Sequence, residues 1–339
     1  MNGINTQSNA AAIRAQIWST QLRLALEPEL LFINNWLDEI TDFPDGDKFT
    51  DLEMGSATVR DYNEGAQVRF DGIDIGSRDF VINNYKSSGQ LITDKMRMDS
   101  FIVGQIEANL PAREARALMA DLETTALKMW STLQPTANDA YKINGFAHKF
   151  VAGYDSDSNG LEYGVINPED MIYGAMALTK AGYTGAPTAV ISPYAAYKIQ
   201  TGKYAKSHLV YQPIFGKIVE GGAMSGFKFA FSMGGVDIYV SNFIDETAGE
   251  LTLKSREGAE SSLTRVGTAD ACIMFANEPG RRPVRIAWRK RPYFEGWWDA
   301  DIQSEKYLTI CRYGIGAGDK ENFITIITKN AGTTSFTAA

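Results

Sequence analysis

The chain has 339 residues, 44% of them hydrophobic, and a formal net charge of −8; that is enough apolar material for one large core or two to three smaller ones. An acidic balance without a basic tail argues against a dedicated nucleic-acid binder, because phosphate binding rests on a cationic surface. Two cysteines, Cys272 and Cys311, are too few and too far apart for a disulfide scaffold or a CxxC metal site, and are expected as buried core thiols.

The opening "MNGINTQSNAAAIRAQ" joins no basic segment to an apolar run, and no later stretch approaches the ~20 apolar residues of a membrane span. The expectation is an intracellular product with no membrane partner. Residues 1 to about 50 read as an arm rather than a domain. They carry one amphipathic helix pattern with Ile13, Ile17, Leu24 and Leu31, then "WLDEITDFPDGDKF", where Pro44, Gly46 and clustered aspartates break the chain. So short a segment cannot bury Trp18, Phe32 and Trp36 by itself, so they are expected to pack on something else.

From 51 to 98 the pattern turns to strands. In "AQVRFDGIDIGSRDFVINNYK" the pairs Val68/Phe70, Ile73/Ile75 and Phe80/Ile82 alternate with Arg69, Asp74, Arg78 and Asn83. This predicts a long two-stranded hairpin. An isolated hairpin is marginal in water, so one that projects must lie on another surface.

"LPAREARALMADLETTALKMW", residues 110–130, predicts a long helix. Asn109 is placed to cap it, Pro111 suits its first turn, and Pro135 marks its end. Ala115, Leu118, Leu122, Ala126, Met129 and Leu133 form one apolar stripe, with Arg113, Arg116, Glu123 and Lys128 largely off it. About 25 residues at 1.5 Å rise span roughly 37 Å.

The loop "GYDSDSNGLEYG" follows, then "INPEDMIYGAMALTKAGY", a helix with Asn167 as cap, Pro168 as first residue and Met171, Ala175 and Leu178 on one face. "PTAVISP" predicts a buried strand and "YAAYKIQ" a short helix. "FKFAFSMGGVDIYVSN" predicts a hairpin turning at Gly234-Gly235. From Ala271, "ACIMFA", "PVRIAWRKRPYF", "KYLTICRYG" and "NFITIIT" predict strands. The fold class is α+β.

Catalytic and metal motifs fail. His148 and His208 have no ligand-spaced partner and are expected on the surface or in loops. There is no GxSxG elbow and no phosphate loop, and Gly314, Gly316 and Gly318 sit between strands rather than at a strand-to-helix turn. Asp155, Asp157, Asn159 and Gly160 match positions 1, 3, 5 and 6 of a calcium loop, but Ile166 stands where a bidentate Glu belongs. Asp299 and Asp301 could serve as acid and base, yet strand alternation places both on a solvent face as readily. No catalytic, cofactor or metal residue is assigned.

The run "GRRPVRIAWRKRPYF" is the most unusual charge feature. As a strand it turns Val284, Ile286 and Trp288 one way and Arg285, Arg289 and Arg291 the other. Its partners could be acids of a neighbouring subunit's hairpin (Glu64, Asp71, Asp74, Asp79), water on a solvated face, or enclosed nucleic acid. The intersubunit candidates are Arg69, Asp71, Asp74, Arg78, Asp79, Arg285, Arg289 and Arg291.

The order arm, hairpin, long helix, mixed middle, strand-rich return resembles the major capsid proteins of tailed bacteriophages with the HK97-like fold, along nearly the whole chain. "VISPYAAYKI", "GFKFAFSMGGVDIYVSNFI" and "RRPVRIAWRKRPYFEGWWDADIQSEKYLTICRYG" are similar to family sequences. The resemblance implies an N-terminal arm (1–50), an extended hairpin or E-loop (51–98), a P-domain (99–160 and 284–315) with its spine helix at 108–134, an A-domain (161–283 and 316–330) and a C-terminal tail (331–339). It implies a non-enzymatic structural protein of the virion, assembled in the host cytoplasm. Its hexamers and pentamers close into an icosahedral head around double-stranded DNA held without sequence-specific contacts. The expected partners are other copies of the chain, a separate scaffolding protein, a portal and a decoration protein. Lys86 lies in the hairpin segment, where some members crosslink a lysine to an asparagine next door; no such bond is expected here. Rival readings are an encapsulin-like compartment housing an enzyme, a cytoplasmic α+β enzyme using Asp299/Asp301 or Glu295, and a binding module whose hairpin adds a strand to a partner sheet.

Overall fold

A computed structural model of the chain describes residues 36–40, 48–54, 59–61, 64, 67, 72–73, 75–99, 103–133, 142–143, 145–153, 163–201, 229–244, 246–247, 252–254, 262–330 and 335–338. The arm helix with Trp18 and Phe32, the strand residues Val68 and Phe70, the calcium-like loop at 155–160 and His208 lie outside them.

The elements in chain order begin with β1 (Asp38–Ile40), then β2 (Lys48–Met54), β3 (Ile75–Val81), β4 (Asn84–Thr93), α1 (Asp94–Asp99) and α2 (Val103–Leu133). β5 (Lys142–Ile143), β6 (Phe146–Ala147), β7 (Lys149–Val151), α3 (Pro168–Lys180), β8 (Ala186–Ile191) and α4 (Pro193–Thr201) form the middle. Next come β9 (Phe229–Met233), β10 (Val236–Val240), β11 (Glu246–Thr247), β12 (Thr252–Lys254), β13 (Ser262–Val266) and β14 (Ala269–Asn277). The return consists of β15 (Val284–Asp299), β16 (Ser304–Ala317), β17 (Ile324–Lys329) and β18 (Ser335–Ala338).

Two sheets organise the body. A four-stranded sheet runs β1-β15-β16-β4, and a larger one runs β7-β17-β14-β8-β10-β9 with β11 on β14. Strands β14 and β17 carry unbroken buried runs such as Ala271 to Ala276 and Ile324 to Thr328, as expected of strands covered on both faces. Residues 84–93 leave the hairpin and run along β16, from Thr93 opposite Ser304 to Asn84 opposite Tyr313. Only β2 and β3 form the ribbon.

The long helix is real and longer than expected. It spans 31 residues, roughly 46 Å at 1.5 Å per residue. It starts two turns ahead of Pro111, and Asn109 does not cap it: the Asn109 amide donates to the Gln105 carbonyl at 2.8 Å. An Asn-x-Pro start signal occurs here inside a helix, because the good helix formers around it (Gln105, Glu107, Ala108, Leu110) carry the helix past the proline. Leu118, Leu122 and Ala126 are buried as the stripe required. They cover Ile286, Cys311 and Tyr313 of the four-stranded sheet at one turn, and Phe275 and Val284 at the next. Glu123, expected off the stripe, is fully buried beside Leu122.

α3 begins as the sequence specifies. The Asn167 side chain accepts from Asp170 N and Asp170 accepts from Asn167 N, with Pro168 in the first turn. Asp170 Oδ2 also takes Gly153 N at 2.9 Å, tying the helix to the end of β7. Gly234 and Gly235 turn the β9–β10 hairpin at φ 61° and 82°, values that L side chains rarely adopt.

Candidate assembly surfaces

The β2–β3 ribbon pairs Lys48 with Val81 and Met54 with Ile75, and among the described residues neither strand pairs with a third. Period-two alternation puts Thr50, Leu52 and Met54 on one face with Val81, Ser77 and Ile75. Leu52 is 71% exposed, Met54 74% and Ile75 61%. Val59 and Ile73, nearer the ribbon's far end, are also exposed. Among the described residues nothing covers this apolar face, and covering it would return about 25 cal/mol per Å².

The second surface is the β15–β16 hairpin. Its first part follows the expected alternation: Val284 and Ile286 are buried, and Trp288 meets Tyr313 edge-on at 5.6 Å. The pairing then slips between Trp288 and Lys290 and again between Lys290 and Tyr293. A slipped register re-aims side chains, and Arg289, Lys290 and Arg291 are all exposed in succession. Lys290 Nζ lies 5.0 Å above the Tyr293 ring. Farther out, Phe294 stacks on Tyr307 while Tyr293, Trp297, Trp298 and Ile302 remain exposed.

Asp299 and Asp301 sit at the tip. Lys306 Nζ donates to Asp299 Oδ2 and Asp301 N donates to Asp299 Oδ1 at 3.1 Å. That hydrogen bond from Lys306 holds the Asp299 carboxyl below the usual carboxylate range. The strand ends at Asp299, so the two acids do not share the strand face expected for them, and Asp299 is engaged in fixing the turn.

Of the intersubunit candidates, Arg69, Asp71 and Asp74 lie outside the described residues. Arg78 and Asp79 are adjacent in β3, their backbones opposite Asp51 and Thr50. Arg285, Arg289 and Arg291 are on β15. Arg285 Nη2 donates to the Gly280 carbonyl at 2.9 Å, and Arg291 pairs with Glu39 of the same chain.

Sequence reasoning missed the acids that meet this basic run. Asp38 takes Arg282 N at 3.0 Å and Glu39 takes Arg291, because β1 pairs in parallel with β15 from Asp38 opposite Arg285 to Ile40 opposite Ala287. A three-residue strand whose partner is more than two hundred residues away leaves little local signal beyond "WLDEI" itself.

Buried titratable groups elsewhere have structural surroundings. Cys272 and Cys311 are free and buried, and burial pushes the Cys272 thiol up to about 12, which removes it as a nucleophile at neutral pH. His148, expected near the surface, is fully buried between β6 and β7, with Nδ1 3.0 Å from the Phe146 carbonyl; burial pushes its pKa down. Lys86 lies on β4 rather than in the ribbon and meets Asp121 of α2 at 3.0 Å. Among the described residues no group of three or more His, Cys, Asp or Glu is placed to hold a metal ion, and no helix is long and apolar enough to cross a membrane.

No family model matches the sequence, and no curated protein matches it. Solved structures do. The capsid of the cyanophage P-SCSP1u aligns at 12% identity over 94% of this chain and 94% of its own, with a TM-score of 0.64. The capsid of an empty GTA particle aligns at 13% identity over 96% of this chain and 98% of its own, at 0.61. The mature capsid of bacteriophage PhiM1 aligns at 11% identity over 97% and 100%, at 0.58. Identities this low speak to fold, and alignments that span 94% or more of both chains leave one answer: the chain has the α+β HK97-like capsid fold.

Proposed function

We propose that this chain is a major capsid protein of a tailed phage, which self-assembles as hexamers and pentamers into an icosahedral head enclosing double-stranded DNA. The observation that carries the proposal is the β2–β3 ribbon, a two-stranded sheet with Leu52, Met54 and Ile75 exposed on one face. Such a ribbon is marginal alone, and among the described residues no third strand pairs with it. A second copy supplies a covering surface in a ring of identical subunits, where head-to-tail contacts close if the rotation permits. Many modest contacts of this kind sum to a tight shell through avidity.

In this reading residues 1–50 are the arm, 51–98 the E-loop, 99–160 and 284–315 the P-domain, 161–283 and 316–330 the A-domain, and 331–339 the tail. The charged residues Arg69, Asp71, Asp74, Arg78, Asp79, Arg285, Arg289 and Arg291 set register between neighbours more than affinity. The shell acts without catalysis or a cofactor. A separate scaffolding protein, a portal and a decoration protein complete the head in the host cytoplasm.

The test is light scattering with negative-stain microscopy on the purified chain, alone and co-expressed with its genomic neighbours. Closed shells of tens of nanometres with nucleic acid inside support the proposal. Shells filled with an enzyme select the encapsulin-like compartment instead, and a discrete monomer or dimer under all conditions overturns assembly.

A further inference from the structure

We propose that residues 36–40 are a latch across a hinge between the two sheets, and that its seating fixes the angle between them. Two connections carry the chain from one sheet to the other side by side, 278–283 from β14 to β15 and 318–323 from β16 to β17. They are stitched together. Gly318 N donates to the Pro283 carbonyl at 2.7 Å, and Asn322 Nδ2 donates to the Ala276 and Arg281 carbonyls at 3.0 and 2.7 Å while its Oδ1 accepts from Ala276 N at 2.8 Å. A stitched pair of crossings resists sliding and leaves rotation about the pair as the soft motion.

The strap blocks that rotation because it is fastened on both sides. Trp36 is 3% exposed and meets Tyr239 and Phe275 of the larger sheet edge-on, with centroids 4.7 and 5.7 Å away. Two residues later β1 is hydrogen-bonded along β15 of the other sheet. Between the two fastenings stands Arg282, itself in the hinge. Its backbone N donates to Asp38 Oδ2, its Nη1 to the Leu37 carbonyl at 3.3 Å and its Nε to Asn277 Oδ1 at 3.2 Å. One guanidinium thus holds the strap, the hinge and the end of β14. Trp36 shares its cluster with Ala126 and Leu127 of α2, Val284 of β15 and Phe323 of the second crossing, so withdrawing it opens the core where the two sheets meet.

In the assembly reading proposed above, the segment preceding Trp36 is the rest of the arm. A neighbouring copy that holds the arm also pulls on the latch, so contact between subunits is coupled to the shape of each. This consequence rests on the assembly reading; the latch itself does not.

Pulsed dipolar spectroscopy tests it. Spin labels go on Met176→Cys of α3 and Ala300→Cys at the β15–β16 tip, both exposed, in full-length chain diluted with unlabelled chain; Cys272 and Cys311, 0% and 1% exposed, stay unlabelled. The parent should give one narrow distance distribution. Trp36→Ala and Asp38→Ala should broaden it by several ångströms. Where Trp36→Ala fails to fold, Asp38→Ala and Arg282→Gln decide, since both leave the Trp36 pocket intact. An unchanged distribution in the folded variants overturns the latch. Shell formation is scored separately by microscopy, so a parent that never assembles counts against the assembly reading and not against the distance result.

Discussion

Gly318 passes so close to Arg282 that a Cβ on it would stand 2.2 Å from the Arg282 carbonyl oxygen. The obstacle is backbone, held in turn by the Gly318 N–H bond to Pro283, so neither side can give cheaply. Gly318→Ala should destabilise the subunit by about 1–3 kcal/mol, the usual cost of overpacking. Gly104, in the first turn of α2 with nothing within 4 Å of its would-be Cβ, is the control. There alanine should be neutral or stabilising by up to about 1 kcal/mol. Urea midpoints of the two variants against the parent measure both.

His148 makes stability depend on pH in a stated direction. Burial lowers its folded pKa, with Glu321 opposing in part, so below about pH 6.5, the ordinary histidine value, the unfolded chain binds a proton that the folded chain refuses. Stability contributed by the neutral ring is therefore complete above that pH. It is lost as pH falls, at no more than about 1.4 kcal/mol per pH unit for one proton. His148→Gln should flatten the difference in unfolding free energy between pH 7 and pH 5.5. A parent and variant with the same slope would show that the ring takes up its proton in place.

The Arg291–Glu39 pair separates two roles for the basic run. It lies inside one chain and both side chains reach solvent, at 70% and 36% exposure, so subunit stability should change by less than about 1 kcal/mol when it is broken. Arg291→Glu should nevertheless lower shell yield, by setting two acids side by side at the seating of β1. The exchange Glu39→Lys with Arg291→Glu should restore the yield. Failure to rescue would instead assign Arg291 to an acid on a neighbouring subunit.

What the sequence made legible follows the range of the interactions involved. α3 could be read to its first residue because Asn167, Pro168 and Asp170 satisfy their own backbone within one turn, and the Gly234-Gly235 turn was equally local. The start of α2 was misread because the cap signal at Asn109 and Pro111 is confined to one turn, while the helix formers ahead of it, Gln105, Glu107 and Ala108, continue the helix back to Val103. His148 and Glu123 look like surface residues by type. Their burial depends on which strands close over them, and spacing does not carry that. The same holds for the assembly surfaces: the basic run stood out by composition, whereas its acid partners Asp38 and Glu39 reach it through a parallel pairing set by the tertiary fold.

The apolar face of the ribbon offers the sharpest test of assembly. Met54 and Ile75 stand directly opposite each other across the pair and are among the most exposed apolar side chains described. Met54→Glu with Ile75→Lys replaces one cross-strand apolar contact by an opposite-charge one, which sustains strand pairing to a similar degree, while making the face hostile to an apolar partner. Since both side chains already sit in solvent, the subunit's unfolding midpoint should move by no more than about 0.5 kcal/mol. If a neighbour covers this face, burying the new ion pair against an apolar surface costs a desolvation that the pair's own attraction repays only in part, repeated at every subunit of a ring. The double variant should therefore stay as free subunits or small oligomers under conditions in which the parent forms shells. Normal shells from the variant would mean that the ribbon projects without being covered, and the contacts that build the particle would have to be sought at Tyr293, Trp297 and Trp298 of the β15–β16 hairpin.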